Sequence, residues 1–120
     1  MVRTEDACEI IQFALQNGIK VYVDGGWGVD ALLGRESRIH NDIDLHCFEF
    51  TDGGIVYEGD LFPSETFSGI GKIRDLTVSC IEPFSQVMFH LGYEHDENDV
   101  HDVMLLCDAF QIAIPDEYKD

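Results

Sequence analysis

Positive charge is scarce in this sequence. Seven Lys and Arg residues stand against 24 Asp and Glu residues, which gives the 120-residue chain a formal net charge of −17 at pH 7. A protein that follows a phosphate backbone needs a basic surface, so nucleic acid is a poor partner. An anionic membrane surface is disfavoured for the same reason. Cationic small molecules, metal ions and basic proteins remain open as partners.

Long hydrophobic runs and paired cysteines are also missing. No apolar run approaches the roughly 20 residues of a membrane span, and Met1 to Glu9 lacks the apolar core of a signal peptide, so we expect a cytoplasmic protein. The cysteines are far apart, without a CxxC pair, which argues against a zinc knuckle or a redox motif. Because their neighbours are apolar, we expect buried, reduced thiols. The four are Cys8, Cys47, Cys80 and Cys107.

The remaining composition is that of an ordinary globular domain. Hydrophobic residues make up 45% of the chain, and its length predicts a single domain over residues 1–120. Local patterns predict an α+β fold, with a small mixed or antiparallel sheet and helices packed on it. The predicted helices are 4–16, 27–33, 83–91 and one from Asn98 or Asp99; the predicted strands are 19–23, 42–50, 55–57, 69–74 and 76–81.

Two glycines stand between the first predicted strand and the next helix. In Asp24-Gly25-Gly26-Trp27 the glycines allow the backbone to approach a ligand, and the N–H groups at a helix start favour an anion such as phosphate. Glycines also make tight turns without binding anything, so this motif alone is weak evidence.

A carboxylate pair follows about 15 residues later. Asp42 and Asp44 are two apart on a predicted strand, so both side chains point to one face. Adjacent carboxylates repel each other unless a cation or a proton lies between them, and Mg²⁺ prefers such oxygen ligands. An exposed polar strand face is the competing interpretation. A metal site made of Asp42, Asp44 and His46 is a further alternative.

A phosphate-binding turn followed by a metal-binding carboxylate pair suits nucleotidyl transfer. The residues around these two motifs also resemble a known family. The segments Val23 to Gly34 and Arg38 to Leu45 resemble the lincosamide and aminoglycoside nucleotidyltransferase-like proteins. Later segments, Ile81-Glu82-Pro83 and His90-Leu91-Gly92-Tyr93 among them, resemble the same family. The resemblance implies a polymerase-β-like nucleotidyltransferase core that uses Mg²⁺ to transfer a nucleoside monophosphate to a drug hydroxyl. It also implies nucleotide binding at Gly25 and Gly26, and catalytic and metal-binding roles for Asp42 and Asp44.

The sequence departs from the family at Asp44. The family places a crossover of roughly 30 residues or more between the DxD strand and a later I-D-x-H strand that carries a third carboxylate. Here Asp42-Ile43-Asp44 matches the first strand and Ile43-Asp44-Leu45-His46 matches the second, so both use Asp44. We therefore predict a shortened member that lacks an internal segment and is short of one acid.

The missing third carboxylate makes efficient catalysis doubtful in the functional prediction. We expect a compact, degenerate nucleotidyltransferase-like protein that binds a nucleotide or a small hydroxylated or cationic molecule. The alternative is an active Mg²⁺-dependent enzyme that modifies an aminoglycoside-like or lincosamide-like antibiotic with a nucleoside triphosphate. Because a trimmed core exposes apolar surface, we also expect a homodimer.

Overall fold

A four-stranded mixed sheet forms the centre of the fold. The computed structural model describes residues 1–46, 49–51, 54–57, 60–62 and 64–119. The strands are β1 (Tyr22–Asp24), β2 (Asp44–His46), β3 (Glu49–Thr51), β4 (Gly54–Tyr57), β5 (Asp60–Phe62), β6 (Gly69–Ile73) and β7 (Leu76–Cys80). The four-stranded sheet has the order β2-β1-β7-β6, in which only β1 and β7 run parallel. A separate antiparallel sheet has the order β3-β4-β5.

In the described part of the chain, four α-helices accompany the sheet: α1 (Thr4–Gln16), α2 (Gly25–Leu33), α3 (Pro83–Met88) and α4 (Glu97–Phe110). Acidic side chains cap three of them. Asp24 accepts from the first N–H of α2, Glu82 from N–H groups of α3, and Asp96 from the N–H of Asp99 in α4. Each cap satisfies an N–H that has no partner within its own helix.

The core lies between the sheet and the first two helices. Ala7 and Ile11 of α1 pack with Trp27 of α2 on Val23 and Val78 of the sheet, and all five are buried. A second cluster joins α2 to the last two helices through Val29, Val87, Val103 and Leu106. Helix α2 therefore packs on the sheet on one side and on α3 and α4 on the other.

The other face of the sheet is covered only in part. Tyr22 is buried there by Phe67 and Ile81. Ile70 and Lys72 of β6 alternate with buried residues and are exposed. Since β6 is at the edge of the sheet order, this end of the second face is open to solvent.

Most predicted elements are confirmed, with shifts at their ends. Helix α1 and the β6–β7 hairpin lie where the sequence predicts them. The strand predicted at 19–23 is observed at 22–24, and α4 begins at Glu97, just before the predicted start. The strand predicted over 42–50 was too long, because β2 begins at Asp44.

Cysteine placement agrees with the prediction where it is described. Cys80 and Cys107 are buried, Cys8 is half-buried, and all three are free. Burial raises the pKa of the Cys80 thiol to about 12, which keeps it protonated and unreactive at neutral pH. Cys47 lies outside the described residues. Within the described ranges, no helix is long and apolar enough to cross a membrane.

Candidate functional site

The candidate site is built around Gly25, where β1 ends and α2 begins. Gly25 has φ +62°, in the left-handed region that glycine adopts without steric cost. Its N–H donates to Asp24 Oδ1 over 2.7 Å. The strand therefore turns directly into the helix, and the first turn of α2 brings backbone N–H groups to this edge of the sheet.

Asp44 lies directly over this glycine. A Cβ atom at position 25 would come within 2.5 Å of Asp44 Oδ2. Strand β2 pairs antiparallel with β1 in a register that sets Asp44 opposite Asp24. Residues opposite each other in such a ladder present their side chains on the same face, with Cβ atoms about 5 Å apart. The fold thus brings Asp24 and Asp44 together beside Gly25.

Asp42 occupies a different setting from Asp44. It is exposed and lies two residues before β2 begins, so the ladder does not fix its side chain on the strand face as the sequence analysis expected. The aspartate that lies beside Asp44 in the sheet is Asp24, whereas the sequence analysis expected Asp42 there. The signal that could have found Asp24 is its position as an acid between a strand and a helix-starting glycine, which is typical of an N-cap.

Gly26 is closely surrounded by side chains. A Cβ atom there would lie 2.5 Å from both Arg38 Nη2 and His40 Nδ1. The ring of His40 also lies 4.6 Å from that of Trp27, centroid to centroid. Gly26 therefore has a packing role: it lets the segment that leads into β2 lie against the start of α2.

His40 is held by a buried carboxylate. Its Nε2 lies 2.6 Å from Asp30 Oδ2, and both side chains are 2% exposed. Ser37 donates to Asp30 through its backbone N–H and its hydroxyl. Burial alone would raise the pKa of Asp30, but the hydrogen bonds from His40 and Ser37 outweigh it and lower that pKa. Asp30 is therefore an ionised acceptor that fixes the 37–40 segment on α2.

Arg38 ties the same segment to α4. Its Nε and Nη2 donate to the two carboxylate oxygens of Asp102 over 3.0 and 2.8 Å. This bond to Asp102 raises the pKa of Arg38. Asp102 is buried and paired with Arg38, although it lies in an acid-rich helix.

The described residues hold no group of three or more His, Cys, Asp or Glu side chains arranged to bind a metal ion. The alternative site that adds His46 to the two predicted aspartates is not tested, because that side chain is not among those described. Carboxylates beside Gly25 remain the donor set, and their oxygen chemistry suits a hard cation such as Mg²⁺.

Comparison with known proteins identifies relatives. The profile of the aminoglycoside-2''-adenylyltransferase family matches residues 7–52. A lincosamide resistance protein of Staphylococcus haemolyticus is 23% identical, with 71% of this chain and 82% of the relative covered. A 2''-aminoglycoside nucleotidyltransferase of Klebsiella pneumoniae is 43% identical over 37 residues, 31% of this chain and 21% of that protein. Over these matches the chain is similar to lincosamide and aminoglycoside nucleotidyltransferases.

Solved structures show the same fold as this chain. The lincomycin-bound crystal structure of the lincosamide antibiotic adenylyltransferase LnuA superposes with a TM-score of 0.78 at 24% identity, covering 93% of this chain and 99% of LnuA. The crystal structure of ANT(2'')-Ia with adenylyl-2''-tobramycin gives a TM-score of 0.69 at 18% identity, covering 92% and 90%.

The match with the Staphylococcus haemolyticus protein also reveals a difference in length. The alignment extends over 133 positions. It covers only 71% of the 120 residues of the present chain. The alignment must therefore open gaps in this chain. Over the matched span, this chain therefore lacks internal residues that are present in the relative.

Proposed function

We propose that this chain is a compact nucleotidyltransferase-like protein that binds a nucleotide with Mg²⁺, or a small hydroxylated cationic molecule, and has lost efficient transfer. The observation that carries the proposal is the position of Asp44. Its carboxylate lies over Gly25, yet Asp44 matches two different strands of the family pattern. The gapped match to the longer relative supports this compression.

The donor set beside Gly25 fits one magnesium ion. Asp44 and Asp24 offer carboxylate oxygens from adjacent strands, and Asp42 lies two residues before Asp44. Mg²⁺ commonly binds through one or two carboxylates together with phosphate oxygens. When bound, the ion would neutralise the triphosphate and polarise a phosphoryl oxygen. Asp24 and Asp44 would hold the ion, and the N–H groups at the start of α2 would face the phosphates.

The charge of the molecule fits a cationic acceptor. At −17 the chain attracts an aminated molecule and repels a free triphosphate, so nucleotide binding should depend on the metal. The neighbouring structures with lincomycin and with adenylyl-2''-tobramycin support a small antibiotic-like molecule as the ligand class.

Thermal-shift measurements test the binding proposal. Mg²⁺ and ATP together should raise the transition temperature more than either alone, because binding to the native state stabilises it. Asp44→Asn should abolish this additional shift, and Asp108→Asn, an exposed acid on α4, should leave it intact. The proposal fails if no shift occurs with any triphosphate, or if Asp44→Asn responds like the unmodified chain.

An active enzyme is the second candidate. It is favoured by the family match over residues 7–52, which contains both glycines and both predicted aspartates. Incubation with Mg²⁺, each triphosphate and a panel of aminoglycosides and lincosamides, followed by mass spectrometry, decides between the two. Adenylylated product that disappears in Asp42→Asn and Asp44→Asn establishes the enzyme. Nucleotide binding without product supports the degenerate form.

A further inference from the structure

Basic residues gather around one cavity of this acidic protein. The cavity has a volume of about 260 Å³ and lies among the start of α1, the end of α2 and the end of β6. Arg35, Lys72 and Arg74 line it, together with the two acids Asp30 and Glu36. These are three of only seven basic residues in the chain. We call it the basic cavity.

The basic cavity is separate from the site at Gly25. Strands β1 and β7 run parallel and end at Asp24 and Cys80, so that end of the sheet carries the candidate site. Strand β6 pairs antiparallel with β7 and sets Ile73 opposite Leu76, at the other end of the sheet. Helix α2 leads away from Gly25 for nine residues, about 13 Å, before it reaches Gly34 and Arg35 in the cavity wall.

Trp27 contributes an unmet hydrogen-bond donor. The residue lines the basic cavity and is only 2% exposed. Its Nε1 is buried and has no hydrogen-bond partner among the described residues. An indole N–H can only donate, so an acceptor atom alone can satisfy it. A buried donor without a partner is costly, and this one belongs to a residue of the cavity wall.

The two acids that line the basic cavity each already accept hydrogen bonds from the protein. Asp30 accepts from Ser37 and His40, and Glu36 accepts from the hydroxyl of Thr4 over 2.9 Å. Arg74 is paired with Glu5. Within the described part of the chain, Arg35 and Lys72 take part in none of the ion pairs found. These two cations are therefore the ones available to an anion.

We propose that the basic cavity binds a small phosphate-type oxyanion, either free or as the phosphoryl group of a small metabolite. Arg35 and Lys72 supply the positive charge, and Trp27 supplies the neutral donor. Oxyanions match this set because they carry several acceptor oxygens and pair well with guanidinium and ammonium groups. Debye screening limits the repulsion from distant acids at physiological salt.

Trp27 is the only tryptophan of the chain and lines the basic cavity, so its fluorescence can follow binding there. The protein is titrated with inorganic phosphate, pyrophosphate and glycerol 3-phosphate in a phosphate-free chloride buffer. We expect a saturable change in Trp27 emission with at least one of them. Tighter binding of glycerol 3-phosphate assigns the site to a phosphorylated metabolite, and tighter binding of the inorganic ions assigns it to a free oxyanion.

Charge variants show where the anion binds. Arg35→Gln and Lys72→Gln should each weaken binding roughly tenfold, and Lys119→Gln, an exposed lysine outside the cavity, should not. Asp44→Asn should keep the phosphate response even where it loses nucleotide binding, which separates this proposal from the proposed function. The absence of any saturable change, or equal weakening in Lys119→Gln, would overturn the proposal.

Discussion

At the scale of single residues, Gly26 shows how much depends on one absent methyl group. An alanine there places its Cβ against Arg38 and His40, and neither can move freely because each is bonded to a buried aspartate. We expect Gly26→Ala to lower the free energy of unfolding by roughly 1–3 kcal/mol, as overpacking does. Urea denaturation measures this loss.

Gly18→Ala is the control for Gly26→Ala. Gly18 has φ +74° but open space around it, so an alanine there adds backbone strain without crowding. Displacement of His40 should also alter the emission of Trp27, whose ring it contacts. Emission that changes equally in both variants, or in neither, would contradict the crowding argument.

Asp30 should make stability depend on acid pH. Its pKa is lowered in the folded chain by His40 and Ser37, below the value of about 3.9 for a free aspartate. The stabilisation is therefore present above about pH 4 and is lost as the pH falls through the folded pKa. Asp30→Asn should cost about 3 kcal/mol at pH 7.

The pH dependence of the difference tests this assignment. Urea denaturation of the unmodified chain and of Asp30→Asn, repeated from pH 7 down to pH 3, should show the two free energies of unfolding converging at the acid end. Asp108→Asn, exposed on α4, should show no such convergence. A gap between the chain and Asp30→Asn that stays constant with pH would refute the role of the ionised carboxylate.

At the scale of elements, the Arg38–Asp102 pair joins the segment before β2 to α4. Loss of one partner leaves the other with an unpaired charge, so Arg38→Met and Asp102→Asn should each cost about 2–3 kcal/mol. The double variant should cost clearly less than the sum of the two, because the second change removes that unpaired charge. Additive costs in this double-mutant cycle would show that the pair does not link the elements.

The sequence predicts those elements whose signals are local. Thr4 to Gln16 carries a helical apolar pattern, and Pro83 after a capping acid marks a helix start; both elements are found there. The start of β2 was misplaced because alternation alone does not reveal where pairing with β1 begins. The Arg38–Asp102 pair spans 64 residues, and no local pattern carries such a contact.

The sequence also predicted some residues of the candidate site and missed another. Gly25 and Asp44 were both singled out from the sequence, and the fold brings them into contact. Asp24 was not given a ligand role, because its proximity to Asp44 depends on the antiparallel register of β1 and β2. That register exists only in the folded sheet, so a motif search along the chain could not supply it.

At the scale of the whole molecule, the solvent-exposed edge strand β6 favours self-association of the chain. Ile70 is 72% exposed on the edge strand β6, and Phe13 is 68% exposed on the outer side of α1. Edge strands and exposed apolar side chains favour self-association unless they are covered. We therefore expect the shortened chain to be a homodimer, with β6 at the interface.

Light scattering after size-exclusion chromatography measures this directly. The unmodified chain should give the mass of two copies, about 27 kDa from the chain mass of 13.6 kDa. Ile70→Lys should convert it to a monomer, because a charge on an edge strand opposes pairing, and Phe13→Lys should leave the dimer intact. The reverse pattern would place the interface on α1, and a monomeric unmodified chain would show that the trimmed core needs no second copy to cover it.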